Sequence, residues 1–92
     1  MRITDGDIQK SLRIKRAVNE YFENSSETKV QAKELMNFFI TRGIFNSNHK
    51  DGLPIRDFLR LLYENGHLHL IPQAFFEQKD VNKNWFFIKS NK

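Results

Sequence analysis

The sequence predicts a mainly α-helical domain in which three helices are followed by a small antiparallel β-hairpin. Three observations support this fold class. The segments 28–42 and 54–64 each show a helical hydrophobic pattern with a recognisable start and stop, and the pattern changes from helix to strand after Gly66. We expect helices near 5–23, 28–42 and 54–64 and a hairpin near 68–89, in one domain that covers residues 1–92.

The third predicted helix has the clearest pattern. Pro54 suits a first helical position, because the N–H that proline lacks would have no partner there. Gly66 suits the left-handed residue that ends a helix. Between them runs an apolar stripe that consists of Ile55, Phe58, Leu59 and Leu62. We expect this stripe to be buried against three residues of the second helix, Leu35, Met36 and Phe39.

The first predicted helix begins after Thr4, which can cap it, with Asp7 in the matching position of a weak capping box. Four basic residues follow within one short stretch: Lys10, Arg13, Lys15 and Arg16. Two interpretations of this cluster are open. One is a solvated helix face, which we favour, and the other is a surface that contacts phosphate.

The second predicted helix also has local signals at both ends. Thr28 and Gln31 fit a capping box, in which each side chain bonds the backbone N–H of the other. Gly43 supplies the left-handed residue at the helix end, and Ile44 can fold back onto Phe39 or Ile40. Residues 45–52 then form a loop rich in turn formers.

The residues after Gly66 indicate strands. Polar and apolar side chains alternate over residues 67–70, which is the period of a half-buried strand, and Pro72 places this segment at a sheet edge or bulge. Residues 74–78 and 85–88 predict two further extended segments, joined by a hairpin loop at 79–84. Residues 90–92 predict a frayed end.

Composition limits the class of protein. The chain of 92 residues is 39% hydrophobic and contains no cysteine, so disulfides and thiolate metal sites are excluded. It has no apolar run long enough to span a membrane and no signal-peptide pattern, so we expect a cytoplasmic protein with no membrane partner. The net charge of +4 makes an anionic partner plausible.

The order of three helices and a hairpin resembles the winged helix-turn-helix superfamily. The resemblance is carried by residues 28–43 as the second helix, 53–64 as the third, and 74–88 as hairpin and wing. The run 61–68, in which a polar residue and Gly66 lead into an apolar strand residue, also resembles the helix-to-strand turn of that superfamily. The connection over 44–53 is longer than the turn of a compact helix-turn-helix motif.

The resemblance implies a non-enzymatic, regulatory module that binds nucleic acid, most readily duplex DNA. In such proteins the third helix enters the major groove. By position, the implied contacts are Arg56 and Arg60 on the third helix, Lys79, Lys83 and Asn84 on the wing, and Lys50 in the preceding loop. The alternative for both arginines is that they are solvated or paired with Asp57 or Glu64.

A second functional hypothesis is a protein-interaction or dimerisation module that uses the hairpin aromatics. Trp85 and Phe87 share one face of their strand, while Phe86 and Ile88 share the other, so only one pair can cover the helices. The other pair would be left for a partner protein or for a second copy of the chain. The expected contact surface is Phe75, Phe76, Trp85 and Phe87.

No motif in the sequence indicates an enzyme. The chain contains no nucleophile elbow, glycine-rich phosphate loop or metalloprotease motif, so we expect no catalytic residue, no cofactor and no small-molecule substrate. His67 and His69 could supply two metal ligands from one strand face, with His49 as a distant third. Solvent-facing histidines are the favoured interpretation, and we expect no metal.

Overall fold

A computed structural model of the protein describes residues 3–47 and 52–89, which form three α-helices and a three-stranded antiparallel sheet. The helices are α1 (Asp5–Glu23), α2 (Met36–Thr41) and α3 (Leu53–Glu64), and the strands are β1 (Lys29–Gln31), β2 (Ala74–Lys79) and β3 (Asn82–Ile88). Two short 3-10 helices cover Ala32–Leu35 and Leu68–Leu70. None of the described helices is long and apolar enough to cross a membrane. Lys50, His49 and the expected frayed end 90–92 lie outside the described residues.

α1 confirms the expected bounds and the expected cap. The Asp7 N–H donates to Thr4 Oγ1 at 3.1 Å, and the Thr4 N–H donates to Asp7 Oδ2 at the same distance, 3.1 Å. This reciprocal pair provides partners for two backbone donors that a helix start leaves unused. The inner face of α1 buries Ile14, Val18 and Phe22 in the core.

The prediction of one helix over 28–42 was wrong. Its first part is strand β1, which pairs with β3 and places Val30 opposite Phe87, and only Met36–Thr41 is α-helical. The expected capping box of Thr28 and Gln31 does not form, because Lys29–Gln31 is a strand and not the first turn of a helix. The Thr28 carbonyl extends the pairing with the end of β3, since it accepts from the Lys89 N–H at 2.9 Å. Pairing with β3 satisfies the backbone of this segment equally well and buries Val30, so tertiary structure overrides the local helix signal.

The end of α2 agrees with the sequence. The Ile44 N–H donates to the Phe39 carbonyl at 3.0 Å, and the Gly43 N–H donates to the Ile40 carbonyl at 2.9 Å. This is the Schellman pattern that Gly43 predicted. Ile44 is buried as a result and closes the core at this end of α2.

α3 begins at Leu53 and confirms the predicted helix at 54–64. Its stripe is buried as expected, and the stripe shares one core with the three residues predicted to face it: Ile55, Phe58, Leu59, Leu62, Leu35, Met36 and Phe39. Within that core α3 packs on the 3-10 helix Ala32–Leu35. The approach is close, since a Cβ added at Gly52 would lie 2.3 Å from Lys33 Cβ.

The hairpin is shorter than predicted. Residues 68–70 form a 3-10 helix rather than a strand, because the Leu70 N–H bonds the His67 carbonyl (3.0 Å) and the Ile71 N–H bonds the Leu68 carbonyl (3.0 Å). Ile71, which follows this turn directly, is fully buried in the core. The strands β2 and β3 pair as far as Lys79 and Asn82, so the loop expected over 79–84 is only the turn of Asp80 and Val81.

Candidate functional site

The described strands leave part of β3 open on one side. The strand order is β1-β3-β2, and β1 pairs with β3 only at Phe86, Phe87 and Ile88. After Gln31 the chain turns away into the 3-10 helix, so within the described residues no strand covers 82–85 on that side. The start of α3 lies across from this free edge, and a cleft separates the two.

We call this feature the α3–β3 cleft. Its larger part has a volume of about 370 Å³ and is lined by Arg56, Arg60, Val81, Asn82, Lys83, Asn84 and Trp85. Its smaller part, about 220 Å³, is lined by Gln31, Lys33, Arg56, Lys83, Asn84 and Trp85. Four basic side chains from three elements therefore meet beside side-chain amides, and none of the described lining residues is acidic.

The two arginines of α3 differ in their surroundings. Arg56 is half-buried and lines both parts of the cleft. Arg60 is exposed, and its Nη2 donates to Asp57 Oδ1 at 2.9 Å. The predicted pairing with Asp57 therefore occurs for Arg60. Both side chains of this pair are more than half exposed, at 53% and 55%, so water screens the pair and it costs little to open.

Aromatic side chains pack along the β3 side of the cleft. The Trp85 side chain is 6% exposed, and its ring centroid lies 5.0 Å from that of Phe76. The Lys83 Nζ lies 5.4 Å from the Phe76 ring centroid and 5.6 Å from that of Tyr63. These cation–π contacts keep the ammonium group at the cleft while leaving it accessible to an anion.

The structure brings together some predicted contacts and separates others. Arg56, Arg60, Lys83 and Asn84 all line the cleft. Lys79 does not, because it lies on β2, the opposite edge strand of the sheet. Lys50 lies outside the described residues.

Sequence reasoning missed Gln31, Lys33 and Asn82. A single helix over 28–42 would have placed Gln31 and Lys33 on nearly opposite sides of that helix, so the two side chains could not line one cleft. The predicted loop removed Asn82 from β3. The alternation of Lys29, Val30 and Gln31, polar then apolar then polar, was the available strand signal.

The outer face of the sheet carries a second aromatic group. Phe75 and Phe86 stack with ring centroids 5.4 Å apart, and the Lys29 Nζ lies 4.5 Å from the Phe86 centroid. Lys29 also bonds Glu77 Oε2 at 3.1 Å across the same face. A charged pair of the protein itself therefore covers these rings, which are half-buried.

The expected aromatic contact surface was wrong for two of its four members. Trp85 and Phe87 are 6% and 0% exposed, so they face the core. Phe76 lies on that same face, half-buried against Tyr63 at a centroid distance of 4.9 Å. Of the expected set, only Phe75 points to the outer face.

The two histidines after α3 do not lie on a strand. The rings of His67 and His69 are 5.9 Å apart between centroids, on the 3-10 turn. Among the described residues, no group of three or more histidine, aspartate or glutamate side chains is placed to hold a metal ion.

Comparison of the chain with protein-family models, with curated proteins and with solved structures found no match. The functional conclusion therefore depends on the geometry and charge of the chain itself.

Proposed function

We propose that the protein is a non-enzymatic nucleic-acid-binding module that contacts duplex DNA with the residues that line the α3–β3 cleft. The observation that carries this proposal is the convergence of Arg56, Arg60 and Lys83, from two elements distant in sequence, at one concave surface. Guanidinium and ammonium groups are the usual partners of backbone phosphates. Asn82 and Asn84 add amide groups that can bond phosphate or base edges.

The fold supports the same proposal. Three helices precede a β-hairpin, and the third helix and the hairpin form the two walls of the cleft. This arrangement is consistent with the resemblance to the winged helix-turn-helix superfamily, in which the third helix and the wing contact DNA. The net charge of +4 adds a general attraction for a polyanion.

Binding of this kind depends steeply on salt. Each phosphate that a basic side chain neutralises releases condensed counterions, so three contacts give a slope of about −3 for log K against log salt. Removal of two of the contacts lowers both the affinity and this slope.

The test is a titration of a labelled random-sequence duplex at low salt, followed by fluorescence anisotropy. The double variant Arg60→Ala/Lys83→Ala removes two charges from the cleft, and we expect it to weaken binding at least about tenfold and to reduce the salt slope by about 2. The matched control is Lys79→Ala/Lys89→Ala, which removes two charges from outside the cleft. We expect the control to lose less than about threefold in affinity.

Two results would contradict the proposal. One is absence of binding by the parent chain at low salt. The other is an equal loss of affinity in the cleft variant and its control, which would mean that net charge alone, and not the cleft, attracts the duplex.

The alternative, a protein partner or a second copy of the chain bound by the hairpin aromatics, has less support. Two of its four expected residues are core residues, and Lys29 covers the aromatic pair of the outer face. We therefore do not propose it as a second function.

A further inference from the structure

A second basic concavity lies on α1 and the end of α2. It has a volume of about 200 Å³ and is lined by Arg13, Arg16, Ala17, Glu20, Arg42 and Ile44. We call it the arginine hollow. It shares no lining residue with the α3–β3 cleft. Three guanidinium groups face one carboxylate there, so the lining side chains carry an excess of positive charge.

Hydrogen bonds fix two of the three guanidinium groups. The Arg13 Nη2 donates to the Arg42 carbonyl at 2.9 Å, just beyond the last residue of α2. The negative end of the helix dipole favours a cation at this position. The Arg42 Nε donates to Glu20 Oε1 at 2.7 Å, and Arg42 Cζ lies 3.8 Å from the Phe38 ring centroid.

Arg16 is the third arginine of the hollow and, unlike the other two, is not held by a hydrogen bond from the described residues. It is exposed, and it makes no hydrogen bond or ion pair with any residue in the described parts of the chain. Glu20 accepts from both Nε and Nη2 of Arg42, so Arg42 can offer an anion only its remaining Nη donors. Arg13 keeps the donors that the Arg42 carbonyl does not use, and Arg16 keeps its whole planar fork. Together these donors suit an anion with several oxygen atoms.

We propose that the arginine hollow binds a phosphate group of a nucleic-acid backbone, as a contact site separate from the α3–β3 cleft. The repeated charges of a phosphodiester chain can occupy two such sites on one protein, which a single acidic side chain cannot. The identity of this ligand rests on the proposed function, whereas its phosphate chemistry rests on the hollow alone. The phosphate comes either from the same duplex, farther along, or from a second duplex.

The phosphate chemistry is tested with inorganic pyrophosphate on the full chain, by NMR of the arginine Nε–Hε signals. We expect saturable shifts of the signals of Arg13, Arg16 and Arg42. In Arg16→Ala, we expect the pyrophosphate affinity measured from the Arg13 and Arg42 signals to fall about fivefold or more. Lys89→Ala, which removes a lysine from outside the hollow, should leave the affinity unchanged. Absence of shifts at Arg13 and Arg42 would overturn the site whether or not the cleft binds DNA.

The source of the phosphate is tested with two duplexes that carry a donor and an acceptor dye. In one case, the parent chain brings the two duplexes close enough for energy transfer, while Arg13→Ala/Arg16→Ala abolishes the transfer but keeps the affinity for a single duplex. The phosphate in the hollow then comes from a second duplex. In the other case, the parent shows no energy transfer, and the variant loses affinity for a long duplex but not for a short one. The phosphate then comes from the same duplex that contacts the cleft. A variant that matches the parent in both measurements overturns the nucleic-acid assignment, even where the cleft variants confirm DNA binding.

Discussion

The two sides of the β2–β3 hairpin differ in chemistry and in what covers them. On the side of the free β3 edge, Lys83 and Asn84 face the arginines of α3 across an open cleft. On the outer face, Phe75 and Phe86 lie beneath Lys29. The comparison shows that a high aromatic content does not locate an interface, because strand alternation sends Trp85 and Phe87 into the core and leaves Phe75 and Phe86 on the outer face.

Neighbouring phenylalanines of β3 give the sharpest form of this comparison. Phe87 is fully buried and meets Phe39 edge to face at 5.9 Å, whereas Phe86 is half-buried on the outer face. We expect Phe87→Ala to lower the free energy of unfolding by about 3–5 kcal/mol, and Phe86→Ala to lower it by about 1 kcal/mol. Urea denaturation measures both. Similar losses in the two variants would mean that the outer rings are as well packed as the core.

The cleft side depends on the close approach of Gly52 to Lys33. Gly52 has a φ of +90°, and a Cβ there would lie 2.3 Å from Lys33 Cβ and 2.8 Å from Lys33 Cα. We expect Gly52→Ala to cost about 2–4 kcal/mol of stability, from the strained backbone and the clash together. The same denaturation experiment measures it.

Gly66→Ala is the matched control. Gly66 has a φ of +74°, but a Cβ there would meet nothing within 4 Å. Its cost of about 1–2 kcal/mol is that of the left-handed backbone alone. Equal losses at Gly52 and Gly66 would show that the 3-10 helix moves freely away from α3, and the cleft would then not be a fixed feature of the fold.

The smallest expected effect concerns the outer face. Lys29→Ala removes the cation above Phe86 and the bond to Glu77, at a cost of about 0.5–1 kcal/mol because both groups are exposed. It also uncovers the stacked rings, so we expect the mass measured by light scattering to rise with concentration in this variant. The parent and Lys89→Ala should keep the mass of one chain. Self-association of the parent at the same concentrations would restore the hairpin aromatics as a contact surface.

The sequence predicted those elements whose signals are local. α1 has a capping box at its start, and α3 has Pro54 at its start, a continuous apolar stripe and Gly66 after its end; the structure confirms both helices. The segment 28–42 has equally good local signals, yet β1 replaces its first turn because β3, more than fifty residues later, offers a paired backbone. A strand of only three residues carries a weak sequence signal, so the sequence contains little indication of long-range pairing of this kind.

The candidate site was predictable to the same extent. Arg56, Arg60, Lys83 and Asn84, which the resemblance to the winged helix-turn-helix superfamily implied as contacts, line one cleft, and their contact with nucleic acid stays a prediction. Lys33 was missed because its position depends on β1. The orientation of Trp85 was left open because alternation shows which residues share a face but not which face is inside.

The most direct test of the cleft is NMR mapping of the full chain during titration with a short random-sequence duplex. The single tryptophan, Trp85, lines both parts of the cleft, so its indole N–H is a local reporter. We predict shifts of this signal and of the backbone amides of Lys33, Arg56, Lys83 and Asn84, while Phe75 and Lys79 on β2 stay unchanged. Shifts confined to the outer face of the sheet, or a duplex that binds without moving any cleft signal, would contradict the account.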